Sequence, residues 1–243
     1  MDNTTIQFCF HHLLQIILCY GALIAWAKFF GKSGIYAYMV VGMIVGNIQV
    51  LTALDLINHV PVAFGTVVFA SLYIATDLLT EYYGAAAARA SVWLSFAGML
   101  TFALLMAHTA HLPYVTDAVS VFSYNQRAIQ QLFTPMPSIF IASFLAYIIS
   151  QYIDIYIYNW LRERQRLGMG GRALVSTTFS GLCDNVIFSV LAWIVLAPQA
   201  LEWDVVWKSY ILGTWIMRVI MAVFGIPVMY FVRKTTDHAL RSI

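Results

Sequence analysis

Four ionisable residues sit inside stretches that otherwise read as lipid-soluble helix: Asp77, Asp154, Asp184 and Arg218. A charge near a bilayer centre costs about 2.5 kcal/mol or more on insertion scales, so such residues need a partner, a cavity or a solute. Glu81 follows Asp77 by four residues within Ala75-Thr-Asp-Leu-Leu-Thr-Glu-Tyr-Tyr-Gly84. On a helix that spacing puts both acids on one face with Tyr73 and beside Thr80, a polar stripe on an apolar rod. The stripe is expected to face a cavity or a neighbouring helix, with Asp77 and Tyr73 as candidate substrate contacts. Counted at about 1.5 Å per residue from the starts of their spans, Asp184 and Arg218 both fall near the membrane midplane, where they form the natural ion pair. Asp77 and Asp154 fall in the cytoplasmic third.

Two of the acids share a local pattern, Ser150-Gln-Tyr-Ile-Asp154 and Ser180-Gly-Leu-Cys-Asp184. In each the serine lies one helical turn before the aspartate, and the two segments cross the membrane in opposite directions. That is the form an inverted repeat takes in transporters, with chance likeness as the competing reading. Asn47 adds an amide with four hydrogen-bonding sites, able to read a polar ligand edge. Glu81 lies close to Gly84 and Arg89, near the inner surface, and with Asp154 and Ser180 is read as a structural or coupling residue. The alternative for all these acids is a helix–helix network or snorkelling to water.

The elements that must position these groups follow from composition. The chain is 61% hydrophobic and only 10% charged over 243 residues, far below the roughly 25% charged residues of a soluble domain. About 20 apolar residues cross a bilayer, and the charge-poor stretches predict seven spans, near 9–30, 34–54, 62–82, 90–110, 138–160, 174–197 and 208–232. The expected fold is therefore an all-α membrane bundle forming a single domain over residues 1–243. Gly31, Lys32 and Ser33 are all that joins the first two spans, which demands an antiparallel hairpin. Pro61, Pro137 and Pro198 fall near boundaries, where a missing N–H costs least. Lys28, Lys32, Arg89, Arg162, Arg164, Arg166, Arg172, Arg233, Lys234 and Arg241 fall on one side, against mainly Asp55, Asp117, Glu202 and Asp204 on the other. Excess positive charge marks the cytoplasm, so the N-terminus is expected outside and the C-terminus inside. The long connection 108–137 contains Tyr124–Phe133, which could form a short interfacial helix.

Other classes of chemistry find little support. A formal charge of +2 without a basic tract argues against nucleic-acid binding. Cys9, Cys19 and Cys183 lie in apolar runs with no CxxC spacing, and His108 with His111 is a lone HxxH, so no disulfide framework, metal site or cofactor is expected. No phosphate loop, nucleophile elbow or HExxH occurs, so the chain is not expected to be an enzyme. The first apolar run lacks the flanks of a signal peptide and is expected to remain as a helix. Most tryptophans read as interfacial anchors, with Trp93 and Tyr73 kept as site candidates.

Ala75–Gly84, followed by Ala88-Arg-Ala-Ser-Val-Trp93, resembles the signature of the queuosine precursor transporter family. Asn47-Ile-Gln-Val50, Ser150-Gln-Tyr-Ile-Asp154 and Ser176-Thr-Thr-Phe-Ser-Gly-Leu-Cys-Asp-Asn-Val-Ile-Phe188 are similar to its other recurrent segments, in order. The resemblance implies import of 7-deazaguanines such as preQ0, preQ1 or queuine across the bacterial inner membrane, for tRNA modification. Gly181 stands where many members have Gln, and Arg218 where many have Lys; Gly181 would leave room for a bulkier ligand such as queuine. A guanine-like lactam presents N1–H and a 2-amino group side by side, which one carboxylate can accept together. Asp184 is the expected acceptor, with Asn47 and Gln151 as further edge readers, an amide or Arg218 as the donor to O6, and an aromatic wall; Arg218 either neutralises Asp184, binds substrate, or does both.

Three other readings compete. A seven-helix photoreceptor needs a Schiff-base lysine in the last span, where Arg218 stands instead. An intramembrane enzyme needs a nucleophile or metal constellation. A substrate-capture subunit for another vitamin-like solute would need an energising partner. Gly42 and Gly46 have the spacing of a homodimer contact, or of packing within one chain.

Overall fold

The computed structural model describes residues 3–56, 60–113, 121–133, 137–197 and 199–240. Asp117, Pro198 and Arg241 lie outside them. Helix α1 (Asn3–Gln49) is interrupted at Gly31, whose φ of 57° and ψ of −135° leave the helical region. A straight helix of this length would run about 70 Å. Instead Gln15 Nε2 donates to Gln49 Oε1 at 2.8 Å, and the rings of Trp26 and Tyr38 lie 6.2 Å apart. The chain therefore doubles back into two arms, as the short turn demands. A Cβ at Gly34 would sit 2.0 Å from the Trp26 carbonyl oxygen, so the crossing requires glycine there.

A two-stranded hairpin follows, β1 (Ala53–Leu56) against β2 (Val60–Ala63), with Ala53 opposite Ala63. It shortens the second and third spans expected from hydropathy, which ran to 54 and began at 62. Helix α2 (Thr66–Tyr83) leads through Gly84 into α3 (Ala85–Ala110). Helix α4 (Val121–Phe133) is the short helix of the long connection, and begins three residues before the expected one. It is tied to the end of α3 by Gln126 Nε2, which donates to the Leu112 and Pro113 carbonyls, and by Phe133, packed edge-on against Phe102. Helices α5 (Pro137–Glu163) and α6 (Met169–Val190) follow. Beyond α6 the backbone widens into a π-turn at Leu191–Val195, and a second π-segment, Val206–Gly213, joins the short α7 (Trp203–Val205) to α8 (Thr214–Leu240). Such widened turns recur at functional sites.

Among the described residues, five helices are long and apolar enough to cross a membrane: Ile6–Gln49, Ala85–Ala110, Ile139–Glu163, Met169–Val195 and Trp203–Val232. The first contains both arms, and α2 supplies the remaining rod of seven. Helix α2 is more polar because it is the centre of the bundle: all residues from Ala70 to Thr80 are buried, Asp77 and Thr80 among them. Large apolar side chains such as Phe10, Phe29, Leu104, Phe179 and Phe224 point outward instead. This arrangement follows when the outer solvent is lipid and polar groups must find protein partners. Gly42 and Gly46 face α2, where a Cβ would meet Leu72 at 2.7 Å and Phe69 at 3.2 Å. Their small surface serves the contact within the monomer and is not free for a homodimer.

Candidate functional site

Asp184 and Arg218 meet where α6 faces α8, with Arg218 Nη2 2.5 Å from Asp184 Oδ2. Both are buried, yet both line a cavity of about 280 Å³. Asp184 Oδ1 accepts from Ser150 Oγ at 2.9 Å, and Ser150 accepts in turn from the Tyr73 hydroxyl at 2.8 Å. The guanidinium lies 5.7 Å from the Tyr73 ring centre and 5.8 Å from that of Phe69, within cation–π range. Arg218 Nε and Nη1 have no hydrogen-bond partner among the described residues. A carboxylate has about four acceptor sites, of which the two neighbours use two. The pair thus keeps both acceptor and donor capacity beside the cavity.

The cavity is bounded by the β-hairpin, α2, α5, α6, the π-segments and α8. Trp193 and Tyr210 form one wall, with ring centres 5.1 Å apart, and Trp193 Nε1 has no partner among the described residues. Asn185, next to Asp184, also lines it while its Nδ2 donates to the Ile211 carbonyl at 3.2 Å. Spacing alone did not single out Phe69, Asn185, Trp193 or Tyr210. The segment ending at Phe188 held the signal for Asn185, but Trp193 read as an interfacial anchor. Its inward position comes from the π-turn at Leu191–Val195, which hydropathy does not reveal.

The two Ser-to-Asp patterns are reciprocally bonded across α5 and α6. Ser150 Oγ donates to Asp184 Oδ1, and Ser180 Oγ donates to Asp154 Oδ1, each at 2.9 Å. Antiparallel helices with equal spacing produce this exchange, so the pattern marks a local two-fold seam. Asp154 is fully buried, and Asp77 of α2 packs against it. Neither oxygen of Asp77, nor Asp154 Oδ2, has a donor bonded to it among the described residues. Gln151 Oε1 accepts from Thr76 Oγ1 at 2.9 Å, beside this acid pair. Asn47 donates to the Met43 carbonyl of its own helix, and its Oδ1 has no partner among the described residues.

Of the residues singled out for substrate, then, Asp184 and Arg218 line the cavity and Tyr73 lies one hydroxyl behind them. Gln151, Asn47 and Asp77 are fully buried and outside the cavity lining. Glu81 accepts from Arg172 Nη2 at 2.9 Å and from the Tyr158 hydroxyl at 3.0 Å, with Arg162 3.5 Å away, tying α2, α5 and α6 together. Trp93 is about half exposed and bonds outward to Tyr152, away from the site. A side chain at Gly181 would meet the Arg218 stem at 3.6 Å, so the room that glycine leaves lies against Arg218.

Residues 63–232 match the model of a family described as "putative vitamin uptake transporter". A relative from Bacillus subtilis (strain 168), named "Probable queuosine precursor transporter", is 28% identical over 242 residues, 98% of this chain and 96% of the relative. The "Queuosine precursor transporter" of Escherichia coli (strain K12) is 28% identical over 154 residues, 60% of this chain and 65% of that protein. No solved structure matches.

Proposed function

The chain belongs to the vitamin uptake transporter family, and from that premise we propose that it imports queuosine precursors, the 7-deazaguanine bases, for tRNA modification. The names of its relatives support the substrate class. The observation that carries the reading is the Asp184–Arg218 pair beside a cavity of about 280 Å³. That volume is at the small end for ligand sites and suits a planar base with a modest substituent. Asp184 accepts from N1–H and the 2-amino group through its remaining lone pairs. Arg218 Nε or Nη1, without another partner among the described residues, donates to O6. Trp193 and Tyr210 cover the ring faces. Tyr73 and Ser150 hold Asp184 in place, while Asn47 and Gln151 form the layer beneath.

With the basic end of the bundle inside, this cavity faces the exterior of the bacterial inner membrane. Passage then requires α5 and α6 to part at the Ser–Asp seam and open toward the cytoplasm. The whole chain acts as one transport domain, moving its substrate without chemical change. The test is uptake of radiolabelled preQ1 and queuine by vesicles containing the protein. Saturable uptake that either unlabelled base competes, and that Asp184→Asn abolishes, supports the reading. Uptake no greater than in vesicles lacking the protein removes it.

A further inference from the structure

Substrate recognition leaves the Asp77–Asp154 contact unused. It joins two fully buried carboxyl groups behind the cavity, from the central helix α2 and from α5, at an interface where Thr76 donates to Gln151 and Tyr73 to Ser150. Among the described residues, neither acid has a cation within ion-pair distance: Arg172 of α6 and Arg162 of α5 go to Glu81, and Arg218 of α8 to Asp184. Among the described residues, three of the four oxygens have no hydrogen-bond donor, and the fourth accepts from Ser180. Beside the pair, the Nε2 of the fully buried Gln151 amide has no partner among the described residues.

The groups around it can be named helix by helix. Helix α2 contributes Thr76, Tyr73 and, one turn away, Glu81, itself held by Arg172 and Tyr158. Helix α5 contributes Gln151 and Tyr158, and α6 contributes the neutral Ser176 and Ser180. Lys28 and Lys32 of α1 and Arg89 of α3 are exposed, and Arg218 of α8 is bonded to Asp184.

Two ionised carboxylates in contact, with no cation, cannot persist in a dry interior. A proton held between them supplies the missing donor. We propose that the Asp77–Asp154 pair is a proton-binding site that couples substrate import to the proton gradient. This rests on the transport reading above. The link is the α5–α6 seam: Ser150 holds Asp184 and Ser180 holds Asp154, so parting the helices loosens the substrate acceptor and the proton site in one movement. The proton enters with the substrate from outside and leaves to cytoplasmic water when the seam opens. One carboxyl O–H bond forms on proton entry and breaks on release in each cycle, and the substrate is unchanged.

The test uses purified protein in proteoliposomes with radiolabelled preQ0, whose nitrile carries no ionisable amine and so is not itself partitioned by a pH gradient. In counterflow, with no gradient, wild type and Asp77→Asn both exchange preQ0, because the amide can donate to Asp154 as the protonated acid does. With the exterior acidic by one pH unit, wild type accumulates preQ0 by up to about tenfold, the limit for one proton per substrate. Asp77→Asn and Asp154→Asn do not accumulate it. Substrate-dependent acidification of wild-type vesicles, read by an internal pH dye, tests the same coupling without any variant. Accumulation by wild type that ignores the pH gradient, or follows sodium instead, overturns the proposal while counterflow keeps the transport reading intact. Gradient-driven accumulation by Asp77→Asn overturns it as well. Absence of wild-type counterflow removes the transport reading and the proposal together.

Discussion

Replacing Asp184 by Asn removes the anion that neutralises Arg218, and the structure offers the guanidinium little else. Arg218 is only 7% exposed, and Nε and Nη1 have no partner among the described residues. What remains is the pair of aromatic faces at 5.7 and 5.8 Å. Breaking a buried pair by removing one member costs about 3–5 kcal/mol, because the other charge stays behind uncompensated. At roughly 2–4 °C per kcal/mol for a chain of this size, Asp184→Asn should lower the thermal midpoint by about 6–20 °C. Removing both charges is often neutral, so Asp184→Asn with Arg218→Met should recover most of that loss. The assay is loss of monodisperse protein on heating in detergent, followed for wild type, both single variants and the double variant. Binding should separate from stability: hydrogen bonds to a charged group contribute about 1.5–3 kcal/mol each, so losing two weakens a 7-deazaguanine by at least about a hundredfold. The double variant should regain stability but not binding. A single variant that melts within about 2 °C of wild type, or a double variant that melts lower than either single one, would refute the reasoning.

Three other outcomes are expected. Gly34→Ala should abolish monodisperse protein, since its Cβ would sit 2.0 Å from the Trp26 carbonyl oxygen, whereas Gly21→Ala, with nothing within 4 Å, should express normally; size-exclusion yield decides. Trp193→Ala removes one cavity wall and should weaken base binding by roughly 5–160-fold, since base–aromatic stacking contributes about 1–3 kcal/mol, with a thermal midpoint that falls far less than for Asp184→Asn. Glu81→Gln strands Arg172, whose side chain is 12% exposed, and should cost about 1–3 kcal/mol, read as a lower thermal midpoint with base affinity unchanged.

Depth in the membrane was legible in the sequence, and azimuth was only partly so. Hydropathy placed Asp184 and Arg218 at one level, and the structure pairs them. The brevity of Gly31-Lys-Ser33 fixed the reversal that brings Gln15 to Gln49. Equal Ser-to-Asp spacing on opposed helices left an inverted repeat and chance likeness both open, and the structure shows the two patterns bonded to each other. The direction in which a side chain points around a fully apolar helix depends on neighbours distant in sequence. Trp193 turns inward through a π-turn, and Trp93, a candidate by motif, turns out to Tyr152. The β-hairpin was masked by the apolar residues on either side of it, which extended two helical patterns across it. Gln151 and Asn47 lie at fitting depth but in helix contacts, which spacing along one helix cannot distinguish from a cavity.

The central claim is that Asp184 reads the donor edge of a guanine-like base. It is tested most directly by equilibrium binding of 7-deazaguanine and of 7-deazahypoxanthine, which lacks only the 2-amino group, to the purified protein. The account predicts that 7-deazaguanine binds at least about tenfold more tightly, the worth of one charge-assisted hydrogen bond, and that Asp184→Asn removes the difference. Equal binding of the two bases to wild type, or binding of neither, would contradict it.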